Sequence, residues 1–301
     1  MKVFVAGGTG VIGRRAVPAL VEAGHDVTVI ARSEERDRLV RDLGATPVRV
    51  DLFDRDGVHA AVAGHEAVVN LATHIPPMSK AAQASNWAEN DRIRSEGSTN
   101  LVAAAKAHGA RRFVQESITF PYADGGSEWV GEDVPRPTSD ISVSVEAAEG
   151  AALGFSGDSV VLRFAQFHAP DASHIATFSK ALRFRASPLI GAPDTYVSFI
   201  GMPAAARAVV AALDAPPGVY NIADDDPPTR REAGEAIAAA LGTRPPWGLP
   251  VGLVKRFNPS AEILARSHRI SNERFKQATG WTPDDVGAQG VARSITEYRA
   301  G

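Results

Sequence analysis

The feature that most constrains the fold of this chain is a glycine cluster near the amino terminus. An apolar run at 3–6 leads into Gly7, Gly10 and Gly13, and a helical pattern follows at once. With this spacing, the first glycine permits a tight turn and the second lets a ligand approach the backbone, while the third lets the helix pack on the strand. Free N–H groups at the start of that helix favour a pyrophosphate. The sequence therefore predicts a dinucleotide site.

The whole loop is expected to contribute to that site, because the pyrophosphate would lie against its backbone. The loop residues predicted to contact the dinucleotide are Gly7, Thr9, Gly10, Val11, Ile12 and Gly13.

Apolar runs alternate with helical patterns through the first half of the chain. Short, nearly continuous apolar strands separated by helices are typical of a parallel sheet that is covered on both faces. The predicted strands are 2–6, 26–30, 46–50, 67–71, 112–115 and 159–163. The predicted helices are 11–23, 33–43, 54–62, 86–108 and 144–153. This order predicts an α/β fold with a Rossmann-type, doubly wound parallel sheet.

The alternation loosens after about residue 165, where prolines divide the chain into short pieces. A helix at 204–213, a strand at 218–222 and a helix at 231–241 still stand out. We therefore expect a dinucleotide-binding domain at 1–165 and a smaller substrate-binding lobe at 166–301, with some segments of the lobe returning to the first domain.

The end of the second predicted strand indicates which dinucleotide binds. An NAD site would have Asp or Glu at this point to hold the ribose 2′-hydroxyl. This chain has Arg32 there, and Arg36 follows closely. A guanidinium binds a 2′-phosphate that a carboxylate would repel. The sequence therefore predicts NADP(H), with a solvated arginine as the alternative interpretation of Arg32.

The ends of the third and fourth predicted strands would complete the cofactor site. Asp51 and Leu52 follow the third strand, where the carboxylate can accept from the adenine amino group. The alternative for Asp51 is an N-cap of the next helix. Leu71, Ala72 and Thr73 follow the fourth strand, and these small or apolar residues suit a backbone that passes under a ribose.

Further short motifs continue along the chain. They are Asp51-Leu52, Asn70-Leu71-Ala72, the helix end at 97–101, Arg163-Phe164, the strand at 218–222 and the segment at 280–283. Together with the glycine loop they resemble the extended short-chain dehydrogenase/reductase family, whose members include epimerases and dehydratases. The resemblance implies a seven-stranded Rossmann domain with a C-terminal substrate lobe.

The catalytic residues of that family are not all present. Its members usually employ a Ser or Thr together with a Tyr-x-x-x-Lys pair. Ile141 and Val145 stand where the Tyr and Lys belong, and no Tyr-x-x-x-Lys occurs anywhere in the chain. Ser117 falls where the family has its Ser or Thr, and Tyr122 is the nearby phenol. Each is a candidate catalytic residue, and each has a structural alternative. Ser117 would instead hydrogen-bond to backbone groups at the end of the strand, and Tyr122 would instead pack as a buried aromatic side chain.

Without the usual acid, three sources of a proton remain open. The first is a protein group outside the usual position, from the set Tyr122, His74, His168 and His174. The second is water. The third is the substrate, if a phenol beside its carbonyl protonates the oxygen as hydride arrives.

A chain that lacks the catalytic pair and takes the proton from its substrate resembles the atypical reductases of aromatic polyketide antibiotic pathways. This resemblance implies an NADPH-dependent ketoreductase that acts on a polycyclic aromatic, angucyclinone-like ketone. An apolar lining would suit such a substrate, although the same residues would equally suit a core. The candidates are Ile75, Pro76, Pro77, Met78, Trp87, Phe120, Trp129, Phe164, Phe167 and Phe178.

Two other functions remain open. A non-catalytic NADP(H) sensor would also keep the glycine loop and lose the catalytic pair. A nucleotide-sugar epimerase or dehydratase fits the family, but it needs a base to start oxidation.

Composition limits the other functions of this chain. A net charge of −3 provides no basic field for nucleic acid or anionic lipid. No cysteine is present, and the eight histidines show no ligand spacing, so we expect no metal. No apolar run approaches the length of a membrane span, and we expect a cytoplasmic monomer or homodimer.

Overall fold

A computed structural model describes residues 1–76, 80, 83–169, 186–187, 189–247, 251–256, 261–284 and 287–300 of the chain. The strands are β1 (Lys2–Ala6), β2 (Asp26–Ile30), β3 (Thr46–Val48), β4 (Ala67–Asn70), β5 (Arg112–Ile118), β6 (Trp129–Val130), β7 (Asp158–Phe164), β8 (Gln166–His168), β9 (Phe199–Gly201), β10 (Gly218–Ile222) and β11 (Arg269–Ile270). Seven of them form one parallel sheet in the order β10-β7-β5-β4-β1-β2-β3. The pairs β6–β11 and β8–β9 form two small parallel sheets.

Helices cover both faces of the large sheet. The helices of the described residues are α1 (Gly13–Glu22), α2 (Glu34–Asp42), α3 (Arg55–Val62), α4 (Ala88–Arg92), α5 (Ser98–Ala107), α6 (Asp140–Leu153), α7 (Met202–Ala211), α8 (Arg230–Leu241), α9 (Val251–Lys255), α10 (Ala261–Leu264), α11 (Glu273–Thr279) and α12 (Gly287–Ala300). A 3₁₀ turn (Ala84–Trp87) precedes α4, and a π-helical turn (Ile93–Gly97) joins α4 to α5.

The two faces of the sheet pack into two separate cores. Val5, Val69 and Val114 belong to the core that α1 and α7 cover. Their strand neighbours Phe4 and Val68 belong to the core that α3 and α5 cover. Because successive side chains of a strand point to opposite faces, burial on both faces requires continuous apolar strands. The prediction of a doubly wound parallel sheet is confirmed.

Several predicted boundaries differ from the structure. The single helix predicted at 86–108 is divided by the π-helical turn. The strand predicted to end at Gln115 continues to Ile118, although it contains the buried Glu116. The helix predicted at 144–153 begins earlier, because Ser139 and Ser142 form a reciprocal capping box.

The C-terminal half returns to the large sheet. Strand β10 pairs with β7, and α7 packs against α1. Helix α12 packs against α8 outside this sheet. The boundary at 165/166 stays a prediction. Within the described residues, no helix is both long enough and apolar enough to cross a bilayer. The cytoplasmic location stays a prediction.

Candidate cofactor and substrate site

The order of strands creates a crevice at the carboxyl edge of the sheet. The chain proceeds from β1 to β2 and β3 on one side and continues from β4 on the other. Ligands of open α/β sheets bind at such a switch point. Gly7 follows β1 with φ at 78°, and a Cβ on it would lie 2.4 Å from the carbonyl carbon of Leu71. The predicted loop and the predicted segment after β4 therefore meet at the crevice.

The rest of the loop is equally tight. The N–H of Gly10 donates to the carbonyl of Gly7 over 3.0 Å. A Cβ on Gly13 would lie 2.2 Å from that same carbonyl oxygen. Helix α1 begins at Gly13 after Ile12, whose side chain provides no cap for the first N–H groups. The close-packed loop leaves its backbone approachable, and the positive end of the α1 dipole favours the pyrophosphate of a dinucleotide.

Two arginines approach the site from the end of β2. Ser33 caps α2 by accepting from the N–H of Arg36 over 3.3 Å. The guanidinium of Arg36 then donates to the hydroxyl of Thr9, in the glycine loop. Arg32 lies exposed between β2 and α2. The structure thus brings Arg36 and Thr9 together and leaves Arg32 accessible at the same edge.

The predicted adenine segment is held by the helices beside it. Asp51 is exposed, and its carboxylate accepts from the N–H of Phe53 over 3.0 Å. Asp54, which accepts from Gly57 over 3.1 Å, caps α3, so the alternative role of Asp51 as that cap is wrong. The carbonyl of Leu52 accepts from Asn100 over 2.9 Å. The adenine contact itself stays a prediction.

The segment after β4 is tied to the neighbouring strand and helix. Asn70 donates to Ser98 and to Gln115, each over 3.0 Å, and accepts from the N–H of Ala72 over 3.1 Å. Leu71 and Ala72 are buried, whereas Thr73 is half-buried at the crevice.

Ser117 and Tyr122 lie in one buried network rather than at the mouth of the crevice. Ser117 donates to Glu149 over 2.5 Å. The Tyr122 hydroxyl donates to Asn221 over 2.8 Å and accepts from Arg163 over 2.7 Å. Both side chains are fully buried. This arrangement favours structural roles for both residues, and their catalytic assignment stays a prediction.

The electrostatics of this network agree with a structural role. Burial raises the pKa of the Tyr122 hydroxyl, although Arg163 opposes the shift. Burial alone would also raise the pKa of Glu149, but hydrogen bonds and charge from Arg163 lower it overall. Glu149 therefore stays ionised and Tyr122 stays neutral near neutral pH.

Ile141 and Val145 lie in the first two turns of α6, and Val145 is buried. Their aliphatic side chains carry no titratable proton. The next residue after Ser117 along β5 is Ile118, which faces the opposite side of the strand by alternation. The assignment of Ile141 and Val145 to the positions of the family's Tyr and Lys stays a prediction.

The other predicted acids have separate surroundings. His74 is half-exposed, and its Nε2 lies 3.6 Å from the carboxylate of Glu89. His168 is buried against Ser294, with 2.9 Å between its Nδ1 and the hydroxyl oxygen. His174 lies outside the described residues.

The predicted apolar lining divides between core and surface. Phe164 is fully buried and packs on Phe167, whereas Ile75 and Trp129 are exposed. Trp129 is covered by the guanidinium of Arg269, 4.2 Å from the ring centroid. Pro77, Met78 and Phe178 lie outside the described residues.

The sequence reasoning did not identify a buried ion pair at this edge. Arg94, in the π-helical turn, donates to Glu116 of β5 over 3.0 Å. Both side chains are nearly inaccessible. A carboxylate inside a strand that is expected to be buried is the signal that could have revealed the pair, because carboxylates are rarely buried without a partner.

Among the described residues, no group of three or more His, Asp or Glu side chains is placed to hold a metal ion. The absence of a metal therefore stays an expectation for the chain as a whole.

Comparison with known proteins agrees with this geometry. A family model described as NAD(P)H-binding matches residues 7–151. A 3-diazoavenalumate denitrifying reductase from a Streptomyces species is 33% identical, and the alignment covers 94% of this chain and 96% of the relative. A 2-alkyl-3-oxoalkanoate reductase from Stenotrophomonas maltophilia is 30% identical, with 80% and 76% covered.

The fold has close structural counterparts as well. A human epimerase family protein, solved with NADPH, superposes with a TM-score of 0.81 at 24% identity, and the match covers 99% of each chain. At this identity the likeness concerns the fold, and it agrees with the seven-stranded sheet described above.

Proposed function

The chain belongs to the NAD(P)-binding extended short-chain dehydrogenase/reductase family, and on that premise we propose that it is an NADPH-dependent ketoreductase. Its oxidoreductase class rests on relatives named as reductases that span most of the chain. The proposed substrate is a polycyclic aromatic, angucyclinone-like polyketide in antibiotic biosynthesis. The chain is similar in this respect to the angucyclinone 7-ketoreductase of simocyclinone biosynthesis, a resemblance that depends on the missing catalytic pair.

The glycine loop and the start of α1 would hold the pyrophosphate, while Arg32 and Arg36 would hold the 2′-phosphate. Asp51 and Leu52 would contact the adenine, and Leu71 to Thr73 would lie under the ribose. When bound, NADPH supplies the hydride that reduces the carbonyl. The protein's contribution is to orient the two reactants, which alone can lower a barrier greatly.

One observation carries the proposal: the two candidate hydroxyls, those of Ser117 and Tyr122, already have buried hydrogen-bond partners. The Tyr122 hydroxyl already has Asn221 and Arg163 as partners, and Ser117 has Glu149. Ile141 and Val145 carry no titratable proton. A phenol next to the substrate carbonyl would donate its proton to the carbonyl oxygen as the carbon receives hydride, and water would then reprotonate the phenolate.

A matched pair of ketones tests this assignment. We expect NADPH-dependent reduction of a tetralone with a hydroxyl peri to its carbonyl, and no measurable reduction of the methyl ether. Loss of the internal donor should cost about 10²–10⁴ in rate. Equal rates for both ketones would contradict substrate assistance. An absence of hydride transfer to a broad panel of aryl ketones, together with tight NADPH binding, would instead favour an NADP(H) sensor.

Two variants test the protein side of the same proposal. Ser117→Ala and Tyr122→Phe should lose stability, because each removes a buried hydrogen bond worth about 1–3 kcal/mol when a partner is left unpaired. Their kcat on the hydroxylated tetralone should stay within about threefold of the wild-type value, measured well below the midpoint of unfolding. A loss of about 100-fold in Tyr122→Phe would identify that hydroxyl as the proton donor.

A second candidate is favoured by the Streptomyces relative, whose name describes the denitrifying reduction of a diazo compound. Hydride that adds to a diazonium carbon displaces dinitrogen, and the electron pair of the carbon–nitrogen bond leaves on nitrogen. No oxygen gains charge in this reaction, so the aliphatic residues at the acid positions would cost nothing. Release of dinitrogen from an aryl diazonium in the presence of NADPH, without reduction of the tetralone, would support this function over ketone reduction.

A further inference from the structure

The buried pair of Arg94 and Glu116 takes no part in the function proposed so far. Nη2 of Arg94 lies 3.0 Å from each carboxylate oxygen of Glu116. The side chains are 3% and 4% exposed, so both groups are removed from bulk solvent. Among the described residues, neither Nη1 of Arg94 nor Oε2 of Glu116 has a hydrogen-bond partner, although Oε2 lies within ion-pair distance of Nη2. A buried guanidinium nitrogen without a partner is unfavourable and needs a reason.

The pair of Arg163 and Glu149 shows how this protein satisfies a buried guanidinium elsewhere. Nε and Nη2 of Arg163 donate to the two carboxylate oxygens over 3.0 and 2.7 Å. Its Nη1 donates to the Tyr122 hydroxyl over 2.7 Å and to the Glu132 carbonyl over 3.2 Å. Arg163 therefore binds its carboxylate through two nitrogens, and its third nitrogen also has partners. Arg94 binds its carboxylate through Nη2 alone, and its Nη1 donates to no described residue.

The position of Arg94 agrees with a ligand as the missing partner. It lies in the π-helical turn Ile93–Gly97, and such turns inside helices are frequent at functional sites. One turn earlier, Asn90 accepts from the N–H of His74, directly after Thr73. Glu116 lies two residues before the carboxyl end of β5. The pair is therefore close to the edge of the sheet at which ligands bind.

We propose that Nη1 of Arg94 donates a hydrogen bond to the substrate oxygen that gains negative charge during reduction. Glu116 is a positioning residue, because it orients the guanidinium through Nη2. A positively charged donor aimed at a developing oxyanion in a dry site stabilises the transition state more than the ground state. The proton that neutralises the oxygen still comes from the substrate phenol. The inference rests on the proposed ketone reduction and assigns the residue that assists it.

The environment of Glu116 supports this division of roles. Burial raises the pKa of the Glu116 carboxyl, and the charge and hydrogen bond of Arg94 only partly oppose that shift. The contact with Arg94 thus favours, against the effect of burial, the ionised carboxylate that orients the guanidinium.

A double variant tests the role of Arg94 without leaving one charge buried alone. In Arg94→Met/Glu116→Leu we expect kcat on the hydroxylated tetralone to fall about 100-fold or more, since a lost oxyanion donor has this effect. The Kd of NADPH, measured by fluorescence titration, should stay within about twofold of the wild-type value. Arg94→Lys should recover part of the loss, because an ammonium keeps the charge without the planar fork.

Arg112→Met is the matched control. Arg112 lies at the other end of the same strand, donates to the Ala215 carbonyl over 2.7 Å and pairs with Asp158 over 3.5 Å. Its loss should lower stability and leave kcat unchanged.

A binding measurement gives a readout that does not depend on turnover. Nitrophenol added to the complex with NADP⁺ should ionise more readily in the wild-type protein than in water, seen as growth of the nitrophenolate absorbance. The double variant should lose this effect. A wild-type complex that does not favour nitrophenolate, or a double variant that keeps its kcat, would overturn the role of Arg94. If the wild-type protein reduces none of the aryl ketones, the proposed function fails first and this role fails with it.

Discussion

Arg32 and Arg36 are the two residues on which the proposed preference for NADPH depends. Both follow β2, but only Arg36 is held, by its contact with Thr9 in the glycine loop. A guanidinium that is already positioned loses less side-chain entropy when a phosphate arrives. At this scale the sequence indicated the charge, and the structure added the contact that orients it.

The cofactor assignment predicts a selective loss of affinity. Arg32→Ala and Arg36→Ala should each raise the Kd of NADPH about 10- to 100-fold, as expected when a charged hydrogen bond of 1.5–3 kcal/mol is removed. The Kd of NADH should change less than about twofold, because NADH has no 2′-phosphate. Arg41→Ala is the control, because Arg41 lies in the last turn of α2, the helix that contains Arg36, and its loss removes the same charge. Equal losses for both cofactors would refute the phosphate assignment.

At the scale of elements, the loop between β1 and α1 is the most constrained part of the fold. Gly13 packs against the carbonyl of Gly7, so the helix can approach the strand only without a side chain there. The division of the helix predicted at 86–108 had no such local signal. The π-helical turn contacts α6, and its Arg94 donates to Glu116 of β5. These contacts exist only in the folded structure, so the sequence pattern does not show where the helix is divided.

Gly13→Ala tests the loop as a unit. The added Cβ would lie 2.2 Å from the Gly7 oxygen, so the loop or helix must shift. We expect the Kd of NADPH to rise at least about 100-fold, because the helix start no longer faces the pyrophosphate. Gly150→Ala in α6 is the control, since a Cβ there meets nothing within 4 Å. That variant should be stabilised by about 0.5–1 kcal/mol. Unchanged NADPH affinity in Gly13→Ala would contradict the assignment of the loop.

At the scale of the molecule, buried polar groups join distant parts of the chain. Arg230 donates to the Tyr196, Leu264 and Arg266 carbonyls over 2.8–2.9 Å. His268 lies 3.1 Å, through Nε2, from the carbonyl of Tyr122. A carbonyl oxygen only accepts, so His268 donates from Nε2. These contacts attach the C-terminal segment to the loop after β5.

His268 makes stability depend on pH. Burial lowers its pKa from 6.5 to about 4. The folded state therefore resists protonation of this residue. The contribution of His268 to stability is fully present above pH 6.5 and is lost as the pH falls toward 4. Between about pH 7.5 and pH 5 this residue should cost about 2 kcal/mol of unfolding free energy.

Urea unfolding of the wild-type protein and His268→Gln at both pH values measures this contribution. Glutamine can donate to the same carbonyl and does not titrate. The unfolding free energy of His268→Gln should therefore fall by about 2 kcal/mol less than that of the wild-type protein between pH 7.5 and pH 5. Equal losses in the two proteins would show that His268 does not titrate with unfolding.

The sequence by itself determined the parallel sheet and the glycine loop, because both depend on local patterns: apolar runs of the right length, and glycines at positions that tolerate no Cβ. Tertiary structure alone decided which polar side chains meet. Strand alternation turned Ser117 toward Glu149, and the π-helical turn placed Arg94 beside Glu116. These partners are separated by 22 or more residues, and their pairing follows from packing, which no local pattern encodes.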